Sequence, residues 1–197
     1  GTLYENAALQ PGVTHVTGRG LVTQINSAVP NQATFCPGCE LTYVFDMDLV
    51  SITPLVGNNY TFTFNNLTID VFVDHTPDYD GSLASAQDGV LWLKLAGNGN
   101  MTGLGTDIGT GSDTGSGSAL LDVVGGLAMS NFDTNTKLDG ADMVFTSSFQ
   151  PAHFSENNIP MLTGSFDLEG NSIPEPSVLA LLGLGLFGLG IARRQKS

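Results

Sequence analysis

The chain has 197 residues, 41% of them hydrophobic and 13% charged, with a formal net charge of −13. That length suits one domain with a sizeable core, and the acidity argues against nucleic acid or anionic lipid as partners. All acids but Glu175 precede residue 173, where only Arg19, Lys94 and Lys137 oppose them, a balance that suits a soluble extracellular protein, a cation-binding one, or both.

The first residues, Gly1-Thr2-Leu3-Tyr4-Glu5, have neither the basic nor the apolar region of a secretion signal. A weak strand pattern covers 13–26. Cys36-Pro37-Gly38-Cys39 follows, with Pro and Gly in the two central places that a type II turn prefers. Such a turn brings its outer α-carbons close enough for a disulfide, so the expectation is a structural Cys36–Cys39 bond. A redox pair would need a helix start after it, yet Glu40 onward alternates as a strand. A zinc site would need further ligands, and His15, His75 and His153 are scattered.

Leu41, Tyr43, Phe45, Met47 and Leu49 recur at period two, as do Tyr60, Phe62 and Phe64 and then Leu67, Ile69, Val71 and Val73. Asn65-Asn66 and Asn157-Asn158 read as turn-rich spacers. In DHTPDYDG, Asp74, Asp78 and Asp80 resemble part of a calcium loop, without EF-hand spacing or a bidentate glutamate. The ordinary reading is solvated turn aspartates. Calcium is thus possible as a cofactor, and no other is implied.

Further strands are expected at 90–96, 119–124, 142–149 and 161–168. Trp92 alternates with Leu91 and Leu93, and reads first as packing and second as a platform for a sugar, an option shared with Tyr43 and Tyr79. Between two strands, 97–118 is rich in Gly, Ser and Thr and reads as a flexible loop or a low-complexity insert. No repeat, confident amphipathic helix or catalytic signature is visible, including a Gly-x-Ser-x-Gly elbow or a His-Glu-x-x-His helix. The expected body, residues 1–172, is an all-β antiparallel sandwich of jelly-roll type, without enzymatic activity.

The tail, 173–197, has three parts. Pro174-Glu175-Pro176 is an extended, rigid triplet. Residues 177–192 carry no charge and form a short apolar run, expected as a transmembrane helix although about 20 residues are usual for a span. Arg193, Arg194 and Lys196 supply a positive-inside end. In this order the three parts resemble the PEP-CTERM sorting signal of Gram-negative bacteria. The resemblance implies export with a removed signal peptide, processing by the membrane protease exosortase at the Pro-Glu-Pro motif, and a place at the cell surface or in the exopolysaccharide and biofilm matrix. It leaves the role of the body open between a structural protein and a carbohydrate- or calcium-binding, adhesin-like module.

Overall fold

The computed structural model describes residues 2–6, 14–25, 38–156 and 159–173, and within these the side chains of 2–4, 6, 153, 154, 156, 159 and 160 are set aside. Nine strands are described: β1 (Thr2–Asn6), β2 (His15–Leu21), β3 (Glu40–Pro54), β4 (Tyr60–Asp74), β5 (Val90–Gly97), β6 (Met101–Thr106), β7 (Thr114–Gly125), β8 (Met143–Glu156) and β9 (Ile159–Gly170). Two one-turn helices, α1 (Leu83–Ala86) and α2 (Met129–Phe132), and a 3-10 turn at Leu138–Gly140 decorate one end.

All strand pairs are antiparallel, and the order β3-β2-β1-β9-β8-β7-β5-β4 returns to its start because β4 also pairs β3. β5 and β6 follow one another in the single place between β4 and β7, so the nine strands fill eight places. The sheet is a closed up-and-down barrel. The sandwich of jelly-roll type is therefore corrected to one sheet wrapped on itself; the all-β class stands. Period-two patterning marks one buried face per strand, and a sandwich and a barrel both supply that face.

An eight-stranded barrel is just wide enough for its own side chains to fill. Tyr43, Leu67, Ile69, Leu95 and Leu121, all at 1% exposure or less, pack there with Phe45, Phe145 and Phe166. Tyr43 and Phe166 come from strands three places apart, and their rings meet across the lumen at 4.1 Å.

Asn65-Asn66, expected as a spacer, lies inside the continuous strand β4. Its buried side chains switch from even positions (Phe62, Phe64) to odd ones (Leu67, Ile69, Val71), which requires one extra residue. The bulge appears as a register shift opposite Asp46 and Asp48, with Asn66 at φ +52.

The segment 97–118 is also corrected: most of it is strand. In β6 and the start of β7, Gly103, Gly105, Gly115 and Gly117 alternate with Thr and Ser, apart from Leu104. A Cβ at Gly115 would collide with the ring of Phe149, one at Gly117 with the Met101 methyl group, and one at Gly105 with Phe62 at 2.6 Å. These glycines make room for large side chains. Gly115→Ala should therefore lower stability by about 1–3 kcal/mol, the usual cost of overpacking. Thermal unfolding measures this; an unchanged melting temperature would contradict the packing.

Candidate functional site

The expected calcium aspartates lie at the end of the barrel where β3 begins and β4 stops. Glu40 is in register with Asp74. The following loop folds back, so that Glu40 Oε1 accepts the backbone N–H groups of Asp78 and Tyr79 at 3.0 and 2.9 Å. Carboxylate oxygens of Glu40, Asp74 and Asp78 thereby gather within 4.8 Å of one another. Asp80 is elsewhere: it accepts from Ser82 N–H at 2.9 Å and Ser85 Oγ at 2.6 Å, and these bonds pull its carboxyl pKa down to about 2. Two of the three expected residues come together, and Glu40 takes the third place. Only the strand pairing could have pointed to it.

Desolvation, then the neighbouring charges of Asp88, Asp74 and Asp80, push the Asp78 carboxyl above its ordinary range. A proton or a hard cation would relieve that crowding. Three oxygens are half of the smallest calcium shell, so backbone or water oxygens would have to supply the rest.

Cys39, just before Glu40, is fully buried, and no free cysteine is found among the described residues. Gly38 has φ +79, as the third position of a type II turn requires. Cys36 lies outside the described residues. Trp92 is half-buried and packs edge-on against Phe132 at 5.7 Å, in line with the packing reading. His15 lies on the barrel wall between Asp46 Oδ2 at 2.7 Å and Asp48 Oδ1 at 2.9 Å; the Asp48 hydrogen bond is the largest of the effects that raise its pKa.

Two buried carboxyls show how neighbours set charge. Asp142 is 2% exposed; burial opposes its ionisation, but N–H groups of Asn135 and Thr134 (2.6 Å each) and of Val123 (2.8 Å) outweigh that and hold it below the usual range. Glu5 is 8% exposed, and its carboxyl has no hydrogen-bond or ion-pair partner among the described residues. It faces a cavity of about 30 Å³ at the opposite end of the lumen, walled by Met47, Phe62, Phe64, Met101 and Phe149. That is room for about two waters. Desolvation alone raises its pKa to about 8.

On the outer wall a row of hydroxyls crosses four strands in register: Thr63, Thr102, Ser118 and Thr146. They line an uncharged shallow groove with Thr61, Leu104 and Ser116. Neither this row nor Glu5 was legible as a site without the strand register.

β9 ends at Gly170. Asn171 Nδ2 then donates to Thr136 Oγ1 at 2.8 Å, and Ile173 N–H to the Asn131 carbonyl at 2.7 Å. Pro174, Glu175, Pro176, the 177–192 run, Arg193, Arg194 and Lys196 lie outside the described residues. Among those described, no helix is long and apolar enough to cross a membrane.

At this junction one comparison with known proteins gives a match. The family model of the PEP-CTERM protein-sorting motif matches residues 172–195. The chain carries this sorting signal, which marks an exported protein handled by exosortase from a membrane-anchored precursor. No curated protein and no solved structure matches the chain.

The Glu5 environment has a thermodynamic consequence. Its carboxyl ionises near 4.5 when unfolded and near 8 when folded, so its contribution is full below 4.5 and is lost as pH rises toward 8. Between those values stability should fall by about 1.4 kcal/mol per pH unit from this group. Glu5→Gln should remove that slope and unfold at higher denaturant than the parent at pH 8. Equal slopes in both proteins would refute the assignment.

Proposed function

We propose that this chain is a non-enzymatic, surface-displayed or matrix-associated barrel, released near Pro174–Pro176 by exosortase after export. One observation carries the reading: the sorting motif begins two residues after the last strand, so the body ends where the signal starts. Residues 177–192 serve as the transmembrane segment of the precursor, and Arg193, Arg194 and Lys196 hold its end on the cytoplasmic side. Cys36 and Cys39 form a structural disulfide beside the acidic cluster. Association with exopolysaccharide is part of this reading.

Mass spectrometry of cell and matrix fractions tests it. Matrix protein should end near Pro174–Pro176 and should have the intact mass of the oxidised cysteine pair. Replacing Pro174-Glu175-Pro176 with alanines should leave unprocessed chain in the inner membrane; an intact Arg193-Arg194 end on matrix protein would refute the processing claim.

A second reading, a calcium- or carbohydrate-binding module, is favoured by the Glu40–Asp74–Asp78 grouping and by the uncharged hydroxyl row. Calcium bound at a hundredfold excess over its dissociation constant would stabilise the native state by about 2.7 kcal/mol. Under this reading, calcium raises the melting temperature of the parent but not of Asp78→Asn, and a glycan array gives a signal. No shift and a blank array would leave the structural role.

A further inference from the structure

From the junction of body and tail we infer that, in the membrane-anchored precursor, the barrel end formed by residues 126–142 lies against the lipid surface, with Leu127, Leu138 and Ile173 at the headgroup boundary. The inference rests on the anchoring role of 177–192 proposed above. Three observations support it.

First, the tail does not leave the body freely. Asn171 and Ile173 are bonded to Thr136 and Asn131, which pins the exit point onto the 126–142 segment. Second, the remaining chain is short. From Ile173 to Ser177, where the uncharged run begins, four residues reach at most about 14 Å even when fully extended. The 126–142 end therefore cannot stand off the hydrocarbon boundary by more than about 14 Å, roughly two headgroup layers. Third, that end exposes large apolar side chains, set among the polar Ser130, Asp133, Asn135, Thr136 and Asp139. Leu127 is 70% exposed, Leu138 71%, Ile173 45% and Met129 38%.

Apolarity alone does not choose this end. At the other end the tip of the β3–β4 hairpin carries Val56 at 91% exposure and Leu55 at 46%. The anchor decides between them, because it leaves from the 126–142 end. Charge selects the lipid: Asp133 and Asp139 are exposed in the same segment, Lys137 is paired to Glu169 at 2.7 Å, and the acidic group of Glu40, Asp74 and Asp78 lies at this same barrel end. A zwitterionic surface suits that balance, and an anionic one does not. Side chains of this kind seat about 5–10 Å into the boundary between headgroups and acyl chains.

The test uses the full chain in phosphatidylcholine vesicles whose acyl chains are brominated, which quench nearby tryptophan. Leu127→Trp, Leu138→Trp and Val56→Trp are compared after subtracting the emission of the parent, which retains Trp92. The two tryptophans near the tail should lose most of their emission, and the one in the hairpin should keep its own. Inserting a Gly/Ser linker of roughly a dozen residues between Ile173 and Pro174, with a mean span of about 20 Å, should restore the emission while the protein still floats with the vesicles.

Flotation with equal, weak quenching at all three positions would overturn the inference and leave the anchoring intact. Quenching near the tail that persists unchanged with the linker would still support contact with lipid, held then by the apolar side chains rather than by the short tether. Protection of these positions only in vesicles containing the protease would assign the surface to that protein instead. Failure to float at all would overturn the anchoring reading, and the docking with it.

Discussion

The interior of an eight-place barrel has room for a limited set of side chains, and most of this structure follows from that limit. Large rings that point inward need small neighbours. Phe62, Met101 and Phe149 fill the lumen at one end because Gly105, Gly117 and Gly115 stand where a Cβ would meet them. At the other end, Tyr43, Phe145 and Phe166 close the space with Leu95, Leu121 and Ile69. The wall can then be polar, since strand residues alternate between lumen and solvent and the core makes no demand on the outer set.

That same limit explains what could be read from the chain and what could not. The strands containing Tyr43 and Ile69 were legible because large apolar side chains announce a buried face. β6 and the first half of β7 were not, because their inward residues are glycines, whose presence suggests a loop. The alternation was there, with Thr and Ser at nearly every second place, but the missing volume belonged to side chains on other strands. Closure was hidden for a different reason. A period of two reports one buried face and says nothing about whether the sheet bends round to meet itself. β1, five residues long, offers too little pattern to register as a strand before its partners are known.

The candidate sites were less legible than the fold, because each depends on register. Asp74 and Asp78 are close in sequence, but their third partner, Glu40, arrives by strand pairing. Glu5 and Asp142 are both buried acids, and nothing in their sequence contexts separates them. Three backbone donors reach one and none among the described residues reaches the other, so one stays ionised and the other carries a proton into mildly basic conditions. The tail was the opposite case. A triplet, an apolar run and a basic end act as a linear message, so its meaning did not wait for a fold.

The pairing of β1 with β9 has a consequence for the order of events during secretion. In a chain delivered from its N-terminus, β1 can find β2 at once, but its other edge has no partner until residues 161–165 arrive. Until then the nascent sheet is open and presents two unpaired edges, a hazard for association with other chains. Under the anchoring proposed above, the last strand is followed within a few residues by the segment that would halt translocation. Closure and arrest therefore fall almost together, so the open sheet persists for nearly the whole passage and is sealed as the chain comes to rest at the membrane.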